Sequence, residues 1–430
     1  MTCPLSFSKV MHRRVKCVSV LALLLALFSG AAQAQAQSDA FPSGNDFTVT
    51  LVTFGQGKEV FERFGHNALW FHDVSTGQDV AYHWGLFSFT EPGFLLRFLT
   101  GDTHYWMGGM SARSLIEMER NAGRPITLQQ LNLSRAQVAA LRRYVLVNST
   151  DENKFYRYDY FGDNCSTRLR DALDHAVGGA LKRATERVAT PMSYRRESVR
   201  LTEGAVQTGI DIALGRPADV PLTEWQSFFI PMRLRDAARR IRITNAAGDS
   251  VPLVAREIPV PPPQGNQRIE PTQSPRLAYK LGSLGILLAV LVIGLRIMME
   301  SRRSAAWGLA LFGSGWSLFS GALGVILLLA WMATRHVYWA RNENVLLFTP
   351  LSLALIMLIP ASILSSRYVR AARMTGALVA VFSIIALLFA LIPGGQENRA
   401  IAAMVVPVHL ALAWALALPH RTATSATRTA

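Results

Sequence analysis

The stretch Tyr160-Phe-Gly-Asp-Asn-Cys-Ser-Thr-Arg-Leu-Arg-Asp171 holds Cys165, the one cysteine that an exported form of this chain keeps; Cys3 and Cys17 lie ahead of or at the edge of an N-terminal apolar segment. A lone thiol in an oxidising compartment has no partner for an intramolecular disulfide, so it is either an inert apolar residue or a nucleophile. Its neighbours favour the nucleophile. Asn164 suits an N-cap, and a helix from Cys165 to about Val177 would stop at Gly178-Gly179. Cys165, Leu169, Ala172 and Ala176 then share one face, which must pack on a sheet. A helix start carries partial positive charge and unpaired N–H groups, which are expected to lower the thiol pKa and to hold an oxyanion. Asn164 and Arg168 are the candidate support residues. Arg168, like Arg170, either faces a phosphate or forms an ion pair on the helix surface, and the ion pair is favoured for Arg168.

Activation of a thiol needs a base, normally histidine. Of nine histidines, His66, His72, His83 and His104 fall in a strand-rich region. His66 follows Phe64-Gly65 at the start of a strand and is the expected general base. His83 lies on the next strand and is expected to orient the His66 ring. The histidines lack metal-ligand spacing and only one thiol accompanies them, so neither a metal nor a cofactor is expected.

The elements that must position these residues are mixed. Phe47 to Thr53 alternates and is β-branched, as a strand requires. Gly65 to Phe71 and Asp79 to Trp84 read as strands around a turn at Ser75-Thr-Gly77, and Ile126 to Leu131 as a fourth. Ser134 with Gln137 forms a capping box that opens a helix to about Asn148. Two more helices are expected, near Ser198 to Leu214 and Thr223 to Arg239. Trp84, Phe87, Phe89, Phe94, Leu95, Leu96, Phe98, Tyr105 and Trp106 crowd around Glu91-Pro-Gly93; they line an acyl groove, dip into a bilayer or form ordinary core.

The ends of the chain point to an envelope. Residues 1–36 read as a signal peptide: a basic start, an apolar run from Val18 to Phe28, and small residues to Ala36. An exported domain spans 37–258, and a proline-rich spacer 259–276 leads to five apolar segments within 277–420. These run Leu277 to Leu295, Ala305 to Ala333, Val345 to Leu364, Met374 to Pro393 and Ala400 to Leu418, each long enough for the ~20 residues that cross a bilayer, and the second longer than that. Gly313-Ser-Gly315 marks a tilt or kink in the second. Residues 421–430 form a cytoplasmic tail. With the exported domain outside, the inner loops hold Arg296, Arg302, Arg303, Arg367, Arg370, Arg373, Arg421 and Arg428, and the outer loops only Arg335, Arg341 and Arg399. The formal net charge of +15 is therefore partly a topology signal and gives no reason to invoke nucleic acid.

The order Arg63-Phe-Gly-His-Asn-Ala-Leu-Trp70, Tyr82-His-Trp-Gly85, Asn164-Cys-Ser-Thr-Arg-Leu-Arg-Asp171, and then a multi-span domain with Thr334-Arg-His336 and Asn342-Glu-Asn344, resembles the Lnb-type lipoprotein N-acyltransferase family over nearly the whole exported chain. The resemblance implies an α+β permuted papain-like periplasmic domain followed by an all-α five-helix transmembrane domain in the inner membrane. It implies that Cys165 takes an acyl chain from a phospholipid as a thioester and passes it to the N-terminal amine of a lipoprotein, with His66 moving the protons. His336, Asn342 and Asn344 fall in outer loops on the same side of the membrane as Cys165; they are candidates to hold a headgroup or the lipoprotein terminus, or they belong to solvated loops. The competing readings are a papain-like cell-wall amidase or peptidase, a phospholipase, and an envelope scaffold in which Cys165 is merely buried.

Overall fold

The computed structural model describes residues 46–263 and 277–419. The expected leader, the rest of the spacer and the tail lie outside the described residues. The strands are β1 (Phe47–Phe54), β2 (His66–Asp73), β3 (Asp79–Leu86), β4 (His104–Ser111), β5 (Ile126–Leu131), β6 (Phe155–Arg157), β7 (Ala189–Ser193), β8 (Pro221–Thr223), β9 (Arg242–Thr244), β10 (Ser250–Pro252) and β11 (Val254–Val260). Seven of them form one antiparallel sheet in the order β11-β5-β1-β2-β3-β4-β6.

Period-2 alternation places Val49 and Leu51 of β1 on one face and Val52 and Phe54 on the other. The first face packs with α3 (Arg135–Asn148) and α4 (Cys165–Ala176), through Val138, Leu141, Leu169 and Ala172. The second packs with α2 (Ala112–Asn121) through Ala112 and Leu115. The capping box at Ser134 and Gln137 forms as the spacing predicts. Two expected helices are broken. Residues 198–214 divide into Tyr194–Leu201 and Gly204–Ala213 because Thr202 and Glu203 are extended and Gly204 has a φ of +61°. Residues 223–239 divide into Glu224–Ser227 and Pro231–Ala238 because Pro231 lacks an N–H and forces Ile230 into an extended conformation. The sequence reading passed over α1 (Phe94–Thr100), α2 and β4, and it placed Pro259 in the spacer. Pro259 instead pairs with Thr127 in β11, which is an edge strand and so tolerates a missing donor.

Five apolar helices follow, long enough to cross a membrane: Leu277–Met298, Arg303–Ala333, Asn344–Leu364, Ser366–Leu391 and Arg399–Ala417. The second is continuous through Gly313-Ser-Gly315, so no split occurs there. An α+β domain followed by an all-α five-helix domain is the expected fold class. Arg296 donates to the carbonyls of Ala415 (3.0 Å) and Pro419 (2.8 Å), and Arg373 to Leu416 (3.0 Å). These arginines satisfy the free carbonyls that end the last helix.

The loops after the second and fourth spans both rest on the N-terminal domain. Gly215 N–H donates to Tyr338 O at 2.7 Å, and the Tyr338 ring packs 4.8 Å from Phe161 and 4.9 Å from Tyr194. Arg196 Nε pairs with Glu397 at 2.7 Å.

Candidate active site

Cys165 is set at its position by Asn164. In an extended conformation, Asn164 accepts through Oδ1 from the N–H groups of Ser166 and Thr167, both at 2.9 Å. Its Nδ2 donates to the carbonyls of Tyr160 (3.0 Å) and Phe229 (2.9 Å). The Asn164 amide is thus fully committed to positioning, and two of the helix-end N–H groups expected to hold an oxyanion are already taken. Ser166 Oγ donates to Phe228 O at 2.6 Å and accepts from Asn67 at 3.1 Å, which ties the helix start to β2. The break between the helices at 224–227 and 231–238 is what frees the Phe228 and Phe229 carbonyls for these bonds. On β3 the chain bends at Gly85 (φ +88°), where a Cβ would lie 3.0 Å from the Cys165 Cβ. Only glycine meets both demands.

His66 and His83 meet edge to face, with Nε2 of His66 2.9 Å from Nδ1 of His83. Which ring donates depends on the tautomer; either way Nδ1 is the nitrogen of His66 left for a reacting group. Burial lowers His66 well below the usual imidazole value, with the His83 and Arg124 charges acting the same way, and burial alone lowers His83 to about 4. Both rings are therefore neutral at pH 7. Burial also pushes the Cys165 thiol up to about 12, against the pull of the Ser166 and Cys165 N–H groups and the Arg124 charge. The expected drop in thiol pKa is overturned: desolvation of the thiolate outweighs the helix end. The resting site is a neutral thiol with a neutral imidazole.

Cys165, His66 and His83 all open onto one cavity of about 1270 Å³. This exceeds the roughly 300–1,000 Å³ of small-molecule sites. Its walls are mainly apolar, with Phe61, Phe64, Phe87, Phe89, Phe94, Leu95, Leu96, Phe98, Tyr105 and Tyr158 among them. Much of the crowded aromatic stretch is thus cavity wall, whereas Trp84 is core. Among the described residues no group of three or more His, Cys, Asp or Glu side chains is placed to hold a metal ion.

A family model for the Lnb N-terminal periplasmic domain matches residues 35–199, and one for the Lnb transmembrane domain matches residues 282–420. The chain belongs to the Lnb family. It is a membrane protein with a periplasmic N-terminal domain. No match was found among curated proteins or among solved structures.

Across the boundary between the Lnb periplasmic and transmembrane domains, the loop candidates separate. His336 lines the cavity, stacked on Trp339 at 4.0 Å, with Nε2 3.0 Å from Phe98 O. Asn342 and Asn344 do not line it. They are buried, and their amides donate to the carbonyls of Ile212 (2.8 and 3.0 Å), Ala213 (3.0 Å) and Asp211 (3.3 Å) that end the helix Gly204–Ala213. Gln396 and Asn398 bond them in turn at 3.1 and 2.8 Å. Asn342 and Asn344 thus fasten the membrane domain to the N-terminal domain, and each spends both hydrogens of its amide on these carbonyls. Arg168 is likewise outside the cavity. It forms a bidentate pair with Asp163 (2.6 and 2.8 Å) and covers the Tyr156 ring at 3.8 Å, as the favoured ion-pair reading has it.

Sequence reasoning missed Arg124. It is buried in the cavity wall, bonded to Gly55 O (3.0 Å) and Glu119 (2.8 Å), and its Nη2 has no hydrogen-bond partner among the described residues. Its charge acts on both His66 and Cys165. Nothing in Gly123-Arg124-Pro125 marks it; only the fold brings it there.

Proposed function

We propose that this protein is a thiol acyltransferase of the inner membrane that moves an acyl chain from a phospholipid to the N-terminal amine of a bacterial lipoprotein. The observation that carries the reading is the sharing of one large apolar cavity by Cys165, the His66–His83 pair and a loop of the membrane domain. A wall hydrolase has no use for such a cavity, and a scaffold has no use for the paired imidazoles.

The thiol pKa favours proton transfer in step with attack rather than a standing thiolate. His66 Nδ1 removes the Sγ proton as Sγ bonds to the donor ester carbonyl. The ester C–O bond breaks and the lysophospholipid leaves with the proton from His66. His83 keeps the ring oriented and remains neutral. The lipoprotein amine then attacks the thioester; its proton goes to His66 and on to the departing sulfur, which restores the thiol. Arg124 acts on His66 and Cys165 through its charge.

Incubation of the purified protein with labelled phospholipid should give a hydroxylamine-sensitive adduct on Cys165. A diacylated lipopeptide should discharge it to a stable amide. Rapid release of free fatty acid indifferent to lipopeptide would replace this reading with a phospholipase, and cleavage of peptidoglycan fragments without an adduct would replace it with an amidase.

A further inference from the structure

Helix α1 (Phe94–Thr100) is apolar apart from Arg97 and Thr100 and buries none of its residues within the protein; Leu95 and Leu96 are each 67 % exposed and Leu99 50 %. Phe89, 53 % exposed and 5.3 Å from the Phe94 ring, continues the patch. A contiguous apolar surface of this kind is covered by something apolar in use. Its attachment identifies the cover. Thr100 O accepts from the Arg335 N–H at 2.8 Å, His336 Nε2 lies 3.0 Å from Phe98 O, and Arg335 pairs with Asp102 at 2.9 Å. Arg335 is two residues beyond Ala333, where the second span ends. These bonds hold α1 where hydrocarbon gives way to headgroups. Phe94, Leu95, Leu96 and Phe98 also line the cavity that contains Cys165.

We propose that α1 is immersed in the outer leaflet of the bilayer and forms a lateral doorway through which a phospholipid acyl chain passes to the cavity without crossing water. The doorway rests on the acyl-transfer reading; the membrane contact does not.

Nitroxide labels test the contact. In full-length protein with Cys3, Cys17 and Cys165 replaced by serine, Leu96→Cys is labelled and reconstituted into vesicles of phosphatidylethanolamine and phosphatidylglycerol. Val74→Cys, beyond the opposite end of β2 from His66, is the aqueous reference. The label at 96 should relax with dissolved oxygen and be shielded from a water-soluble nickel complex, the reverse of the label at 74. Equal nickel access at both sites overturns the proposal, as does shielding from both agents with dipolar broadening, which would mean a second copy covers α1. The doorway is tested with Leu99→Glu, which is exposed and outside the cavity lining. The ratio of Cys165 acylation by vesicle phospholipid to acylation by a monomeric short-chain ester should fall about tenfold, the scale of removing one leucine from an apolar phase. An unchanged ratio overturns the doorway. Should wild-type Cys165 take an acyl group from neither donor, the acyl-transfer reading falls and the doorway with it, while the labels still decide the membrane contact.

Discussion

At the residue scale the proposed mechanism starts from a thiol and an imidazole that burial holds uncharged. With the Cys165 pKa raised to about 12, the thiolate is scarce at pH 7. Alkylation by a small reagent should be slower than for free cysteine at pH 7 and climb about tenfold per pH unit as pH rises toward that value. A rate already at its plateau at pH 7 would contradict the burial argument. Cys165→Ser keeps the helix geometry and removes the thiol, so the acyl adduct should vanish while the protein still inserts; normal turnover would end the covalent mechanism. On the proposed mechanism, the acid limb of adduct formation reports His66, with its neutral form as the base. Its pKa is lowered, so activity should persist below pH 6.5 and fail only as pH drops through the lowered value. Arg124→Gln removes a positive charge that opposes the imidazolium, so the acid limb should move to higher pH; a limb that stays put would show that Arg124 acts on packing alone. For His83, asparagine can offer His66 the same hydrogen bond. His83→Asn should retain substantial adduct formation and His83→Leu should not, and equal rates would remove His83 from the site.

At the element scale the Cys165 helix is held by its cap. Loss of an N-cap side chain costs about 1 kcal/mol. Asn164→Ala also leaves the part-buried Tyr160 and the buried Phe229 carbonyls without their donor, at a further ~1–3 kcal/mol for the buried one. Asn164→Asp restores the acceptor for the helix N–H groups but not the two donated bonds. Thermal unfolding should therefore place the aspartate variant between wild type and alanine, or below alanine where its charge meets the two carbonyls; a wild-type Tm for Asn164→Asp would show that the donated bonds contribute nothing. Gly85 is the facing element's counterpart: Gly85→Ala combines a positive φ with a contact at 3.0 Å on the Cys165 Cβ, and the adduct should be lost even where the protein accumulates.

At the scale of the whole molecule, two periplasm-facing loops of the membrane domain serve as the floor of the N-terminal domain. Asn342 and Asn344 satisfy the C-terminal carbonyls of the helix Gly204–Ala213, so Asn342→Ala should raise amide exchange there with little effect on the sheet. Protection unchanged over residues 204–213 would mean that the clamp is dispensable. The same contacts require 334–344 and 394–399 to lie on the side of Cys165. Single cysteines in those loops, in a Cys165→Ala background, should label from the periplasmic side, and cysteines at 367–373 should not; the opposite pattern would invert the topology.

Local signals in the chain already announced much of this. The Asn164 cap with its glycine stop, the period-2 runs of β1, β2, β3 and β5, and five apolar segments each depend on neighbours a few residues apart, so they can be read without a fold. The pairing of His66 with His83 was also within reach, since adjacent strands put the two rings on one edge. What needed the tertiary structure were quantities set by distant segments. The Cys165 pKa turns on how much water the sheet and the 228–230 turn exclude, which no helix-end argument contains. Arg124 reaches the site because β5 lies beside β1, and the end of β11 was hidden because an edge strand tolerates Pro259, which read as the start of a spacer. Asn342 and Asn344 looked like exposed loop ligands because their partners, the carbonyls of residues 211–213, lie about 130 residues earlier in the chain. A buried polar side chain takes its role from the groups that fold onto it, and the sequence around it does not contain them.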